Sequence, residues 1–237
     1  MSNLNIKRAV ENIRASTTAY TPVLETIVNA IQAIESTGRS DGKISIRVRR
    51  SDQLETDGSL PPIVGFEIED NGVGFTEEHR HSFDTLYSDL KISQGGKGFG
   101  RFTCLKHFED LHIDSIFHDD KGYQKRVFSM GKENELIVKE KLLPIVAKDC
   151  GTVVHLDNLR KGSFEKKLPT LARTLVEKLL PYFITKDYKP PEIILCEQDD
   201  SERIRLNDFT SELSGVIREE SDPNNVFKLM ATAGEQD

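Results

Sequence analysis

Three groups of residues in this chain have the types and spacing to handle a phosphate ester and the base attached to it. Glu25 and Asn29 stand four residues apart, with Gln32 three further on. In a helix, positions i, i+4 and i+7 share one face. If that face borders a pocket, Glu25 reaches a water as a base and Asn29 offers its amide oxygen to a cation. Magnesium suits such a site, because it keeps most of its waters and takes few protein oxygens. The second group, Asp70-Asn71-Gly72-Val73-Gly74, closes an apolar run. A carboxylate there accepts a hydrogen bond from an exocyclic amine, and the glycines allow close backbone approach and positive φ. The third, Gly95-Gly96-Lys97-Gly98-Phe99-Gly100-Arg101, leads into an apolar stretch. Backbone N–H groups at a glycine-rich helix start form an anion nest, and Lys97 and Arg101 add positive charge.

Each group also has a plain structural reading. The Glu25 stripe fits the wet side of an amphipathic helix, and Asp-Asn-Gly is a common turn sequence. The glycine cluster is not a Walker A loop, since no Gly-Lys-Ser/Thr follows at the required spacing. Nor does it sit in a βαβ unit with a later acidic residue, as a dinucleotide fingerprint requires.

The elements that must position these groups follow from periodicity. Leu4, Ile6, Val10 and Ile13 predict an amphipathic helix over residues 3–14. Thr21-Pro22 reads as an N-cap with Pro at the first helical position. The helix after it carries Leu24, Ile27, Val28, Ile31 and Ile34 on one face, with Gly38 beyond its end. Residues 43–50 alternate Ile44, Ile46 and Val48 with polar residues, a half-buried strand. Ser51 to Ser59 reads as a turn, and Ile63 to Glu69 as a second strand. Residues 76–95 mix charge with short apolar patches and are the expected mobile segment. A helix is predicted from Gly98 to about His107, with strands near 110–117, 123–130, 134–142 and 152–156. Leu168 to Ile184 reads as a helix, followed by strands at 192–196 and 203–206. Beyond Asn207 the polar composition reads as a linker or the opening of another domain. Strands outnumber helices, and at least three helices are available to cover one face. The predicted class is therefore α/β (α+β), as a two-layer sandwich.

Bulk properties permit this and exclude other classes. The chain has 237 residues, enough for one large domain, and a formal net charge of −7 with a pI near 5.5. That balance argues against a chain-wide nucleic-acid footprint, which clustered Lys and Arg would supply. Arg47, Arg49 and Arg50 read as a solvated strand face. Cys104, Cys150 and Cys196 are far apart and lack CxxC spacing, which suggests reduced thiols in a cytoplasmic protein, with neither a disulfide frame nor a zinc site. No apolar stretch is long enough to span a bilayer, and the N-terminus lacks an apolar signal core.

The order of the three groups is more specific than any one of them. Glu25-x-x-x-Asn29, Asp70-x-Gly72-x-Gly74 and Gly95-x-x-Gly98-x-Gly100 resemble the N box and two glycine boxes of the GHKL superfamily, the Bergerat-fold ATPases. Gyrase B, the ninety-kilodalton heat-shock chaperone, histidine kinases, MutL and the MORC proteins belong to it. Gly151-Thr152-Val153-Val154-His155-Leu156 is similar to that family's Gly-Thr strand. The resemblance covers roughly residues 20–160. It implies a mixed, mostly antiparallel sheet with helices on one face, an ATP-binding domain over 1–207, and a following linker or domain at 208–237 in a longer protein.

Carried over residue by residue, the resemblance makes Glu25 the general base and Asn29 the Mg2+ ligand. Asp70 and Thr152 become the adenine readers. Gly72, Gly74 and Phe75 line the base pocket, and Ala33 joins the nucleotide-binding set. Gly95, Lys97, Gly98, Phe99, Gly100 and Arg101 close on the phosphates. Residues of about 76–97 form the lid, with Lys91 as a lid contact. Several relatives carry Asp where this chain has Gln32, which implies a different water network.

The resemblance further implies ATP and Mg2+ as cofactors, slow ATP hydrolysis in isolation, and ATP-gated conformational change or pairing of two ATP domains for an unnamed client. A non-hydrolysing nucleotide sensor is the alternative. A histidine-kinase-type phosphotransferase ranks last, because residues 1–20 hold no phosphoacceptor His; the histidines stand at 79, 81, 107, 112, 118 and 155.

Overall fold

Alternation of apolar and polar side chains along the strands gives this fold one oily and one wet sheet face. A computed structural model of the chain describes residues 17–52, 59–84, 100–133, 135–185 and 188–209, with the backbone alone at 100 and 101. The helix predicted over 3–14 and the polar tail after 209 lie outside the described residues. Eight strands form one sheet: β1 (Lys43–Arg50), β2 (Ile63–Asp70), β3 (Phe108–Asp119), β4 (Gly122–Met130), β5 (Ile137–Pro144), β6 (Gly151–Leu159), β7 (Glu192–Cys196) and β8 (Arg203–Arg205). Their order is β5-β4-β3-β6-β2-β1-β7-β8. Only the β1–β7 pair is parallel. The helices are α1 (Tyr20–Glu35), α2 (Glu77–Asp84), α3 (Gly100–His107) and α4 (Leu168–Ile184), with a 3-10 turn at Leu206–Phe209. This is the mixed, mostly antiparallel two-layer arrangement that the sequence implies.

The core lies between the helices and the oily face. Ile44, Ile46 and Val48 of β1 and Phe66 and Ile68 of β2 are buried against Val23, Ile27, Ile31 and Ile34 of α1 and Leu171, Leu175 and Leu179 of α4. Each such side chain contributes roughly 1.5–3 kcal/mol by leaving water. The wet face is laced with ion pairs. Arg47 meets Glu67 at 2.7 Å, and Arg49 meets Glu67 at 3.1 Å and Asp157 at 3.0 Å. The strand arginines are thus paired with neighbouring carboxylates. No helix among the described residues is long and apolar enough to cross a membrane.

Of the boundaries that differ from the periodicity reading, three differ for a local reason. Helix α1 starts at Tyr20, and Ala19 before it is already helical (φ −58, ψ −25) with no side-chain cap. Thr21 is therefore not the N-cap. Its backbone N–H donates to Thr18 O at 2.9 Å and its hydroxyl accepts from Thr18 N–H at 3.1 Å, closing a turn ahead of the helix. Pro22 falls in the first turn, where a missing N–H costs no helical bond. Strand β5 begins at Ile137, just after Leu136, whose carbonyl accepts the Gly131 N–H at 2.9 Å. Strand β8 stops at Arg205, where Leu206 enters the 3-10 turn.

The segment expected to be mobile begins with an anchored helix. Arg126 of β4 is 1% exposed, and its Nη1 donates to the carbonyls of Phe75 at 2.8 Å and Thr76 at 2.9 Å. Its guanidinium also pairs with Glu77, the first residue of α2, and lies 4.9 Å from the Phe117 ring. Glu140 of β5 accepts from Arg80 of α2 at 2.8 Å. A buried guanidinium is tolerated only when its charge is answered; α2 and the turn before it take both terminal nitrogens, while Nε makes no hydrogen bond and lies 3.1 Å from the Glu140 carboxylate.

Candidate functional site

Strand β2 ends on Asp70, which points to the helix side of the sheet and pairs in register with Thr152 of β6. Asp70 is buried at 8% exposure, and its Oδ1 accepts the Gly72 N–H at 2.8 Å. Burial pushes its pKa up to about 7, with Glu69 adding repulsion, while the backbone N–H groups of Gly72 and Thr152 pull it back. The sign of the consequence follows from linkage. Between the ordinary carboxyl pKa and about 7 the folded state holds a proton that the unfolded state has released, so stability falls as pH rises through that window. Denaturant melts at pH 4 and pH 8 are expected to show the wild type losing stability relative to Asp70→Asn on going up. Parallel curves would show that Asp70 does not titrate in this window.

A polar cluster continues from Asp70 into the sheet. Thr152 Oγ1 lies 3.0 Å from Ser115 Oγ of β3. The Ser115 hydroxyl donates to Gly151 O at 2.9 Å and accepts the Phe75 N–H at 2.7 Å. Asn71 braces the start of β1, its Oδ1 accepting Lys43 N–H at 2.8 Å and its Nδ2 donating to Asp41 O at 3.0 Å.

The glycines have packing roles of their own. A Cβ on Gly72 would stand 2.6 Å from the backbone of Ala33, and one on Gly151 would stand 2.3 Å from Asp70 O. Gly74 has φ +79, and a Cβ there would meet Ile116 O at 2.1 Å. Both the left-handed backbone and the contact oppose a side chain. Gly74→Ala is expected to cost ~2–4 kcal/mol of stability in denaturant unfolding. A loss under about 0.5 kcal/mol, the usual range for an unconstrained surface change, would show that this turn is not held against β3.

Helix α1 brings the other candidates to the same side of the sheet. Ala33, partly buried, accepts the Val73 N–H at 3.1 Å, which ties the helix to the glycine loop after Asp70. Asn29 and Glu25 are exposed, one and two turns toward the N-terminus. At ~1.5 Å per residue, Glu25 stands about 12 Å along the axis from Ala33. Helix α3 packs against α1. The thiol of Cys104 on α3 is pushed up to about 12 by burial, with the Glu25 charge adding to it. Gly100, the last glycine of the second cluster, opens α3. Gln32 is partly buried. Lys91, Gly95, Gly96, Lys97, Gly98 and Phe99 lie outside the described residues, as does the side chain of Arg101. Phe75 packs its ring 5.7 Å from Phe83 and 5.1 Å from Phe128, so it anchors the loop to α2 and β4.

Three contributors escaped the sequence reading: Ser115, Arg126 and His79, whose Nδ1 lies 3.0 Å from Gly74 O. Ser115 left one usable trace, a polar residue among Leu111, Ile113 and Phe117 on a strand face that is otherwise buried and apolar. A cavity of about 690 Å³ lies elsewhere, lined by Asp110, His112, Ser129, Lys132 and Lys139. It opens on the wet face, where Lys132 meets Asp110 at 2.8 Å and His112 Nδ1 meets Ser129 Oγ at 3.2 Å.

Set beside known proteins, residues 16–138 match a protein-family model described as Histidine kinase-, DNA gyrase B-, and HSP90-like ATPase. The matched span takes in Glu25, Asn29, Ala33 and Asp70 and ends before Thr152. No curated protein matches the chain.

Proposed function

The chain belongs to the histidine kinase-, DNA gyrase B- and HSP90-like ATPase family, and from that premise we propose that it binds ATP with Mg2+ and hydrolyses it slowly to drive a conformational change or pairing in a larger protein. The observation that carries this reading is Asp70, a buried carboxylate on the helix side of the sheet, in register with Thr152 and one short loop from α1. Asp70 accepts from the adenine amine, and Thr152 helps it read the base. Gly72, Gly74 and Ala33 shape that end of the pocket. Glu25 orients and deprotonates the attacking water, while the glycine cluster from Gly95 to Arg101 and Lys91 of the lid hold the phosphates.

Asn29 is the protein oxygen for magnesium. A magnesium ion held by one amide oxygen takes the rest of its shell from phosphates and waters. When bound, Mg2+ neutralises charge on the phosphates during transfer. The residues of the chain position the nucleotide, exclude water around the base and place Glu25 as the proton acceptor.

The two halves of the site differ in burial. Asp70 and Thr152 are buried, whereas Glu25 and Asn29 are exposed. That contrast supports slow turnover in isolation, and it also favours a second reading, a nucleotide sensor that binds without hydrolysis. Phosphate release measured with Mg2+ and with EDTA separates them. Slow, Mg2+-dependent release supports the ATPase, and tight ATP binding with no release supports the sensor.

A further inference from the structure

Counting protons around Ser115 fixes which way the neighbouring Thr152 hydroxyl points. A serine hydroxyl has one proton to give and two lone pairs to receive. Gly151 O takes the proton at 2.9 Å, and Phe75 N–H fills one lone pair at 2.7 Å. With the Ser115 proton on Gly151 O, Thr152 Oγ1, 3.0 Å away, is left with the second lone pair and is the donor in that contact. Ser115 is 1% exposed, and no solvent competes for these positions. The hydroxyl proton of Thr152 is thereby committed to the sheet interior. What Thr152 has left to offer a ligand beside Asp70 is lone pairs only.

At pH 8, above its folded pKa of about 7, Asp70 is largely ionised and is likewise an acceptor, since a carboxylate has no proton to give. This corner of the pocket therefore presents acceptors without a donor from either side chain. The 6-amino group of adenine is a donor and matches it. The 6-oxo group of guanine is an acceptor and meets lone pairs. Building on the ATP-binding reading above, we infer that Ser115 is a positioning residue for base selection: by holding the Thr152 proton, it makes the Asp70–Thr152 corner reject a 6-oxo purine. Ser115 itself, turned into the sheet, touches no ligand in this arrangement.

The test is calorimetric titration of the full chain at pH 8 with ATP and with GTP, both with Mg2+. The variants are Ser115→Ala, Ser115→Cys, Thr152→Val and the double variant Ser115→Ala/Thr152→Val. The wild type is expected to prefer ATP. Ser115→Ala frees the Thr152 hydroxyl to turn its proton to a 6-oxo group, and the ATP-to-GTP affinity ratio is expected to fall about tenfold. In the Thr152→Val background, adding Ser115→Ala is expected to leave the ratio unchanged, because the rotor it controls is gone. Ser115→Ala also strands Phe75 N–H and Gly151 C=O; if it fails to fold, Ser115→Cys carries the test, keeping the volume with a weaker acceptor. A merely structural Ser115 would weaken both nucleotides alike, and an unchanged ratio in the folded Ser115 variant overturns the inference alone. A wild type that takes neither nucleotide overturns the ATP reading, and this inference with it.

Discussion

Asp70→Asn is expected to weaken ATP binding on the order of 100-fold in calorimetric titration, while leaving the unliganded protein at pH 8 at least as stable as the wild type. The two halves of that result have one cause. Asp70 is buried, with Oδ1 accepting the Gly72 N–H at 2.8 Å, and its pKa is pushed up to about 7. An asparagine keeps its carbonyl oxygen on those backbone donors, which turns its NH2 toward the base. A donor then faces the adenine amine where an acceptor stood. A hydrogen bond to a charged group is worth about 1.5–3 kcal/mol, and each tenfold in affinity is about 1.4 kcal/mol, so a loss near two decades follows. Removing the charge also removes the cost of keeping a carboxylate out of water above its folded pKa. A variant that loses both binding and stability would show that Asp70 is mainly a structural brace. One that keeps full affinity would show that it does not read the base.

Glu25→Ala is expected to have the opposite profile, lowering phosphate release by ~10²–10⁴-fold, the usual contribution of a general base, with ATP affinity within a few fold of the wild type. Glu25 is exposed on α1 and its removal opens no cavity in the core formed by Ile27 and Ile31. Release and titration run on one preparation make the check. Unchanged release would remove Glu25 from the chemistry, and lost binding would make it a ligand contact instead of a base.

The reach of the sequence depended on whether a feature is local. The alternation of Ile44, Ile46 and Val48 with Arg47 and Arg49 announced β1 and its oily face, and the structure buries those three aliphatic residues. The 3.6-residue period in α1 did the same for Ile27, Ile31 and Ile34. Asp70 was visible because a carboxylate after an apolar strand is unusual; the structure buries it and pairs it in register with Thr152. What stayed hidden is what depends on contacts across the fold. Gly72 and Gly74 read as freedom for a ligand to approach, yet a Cβ at either, or at Gly151, would come within 3 Å of backbone in another segment of the chain. Arg126 looked like one polar residue in an alternating strand, and its partners, Phe75, Thr76 and Glu77, are about fifty residues upstream. Ser115 needed the register of β3 against β6 before its hydroxyl acquired meaning. The start of α1 was misread because Thr21-Pro22 is a strong local capping pattern, and the Thr18–Thr21 turn outcompeted it.

The central claim is that Asp70, Thr152 and the Glu25–Asn29 face of α1 together hold a magnesium nucleotide. Calorimetric titration of the purified chain with ATP, with and without Mg2+, tests it most directly. The account predicts saturable binding of one ATP per chain, tightened by Mg2+ and weakened when Asn29 is replaced by alanine. Absence of heat with both ATP and ADP, at concentrations where the chain is folded, would contradict it.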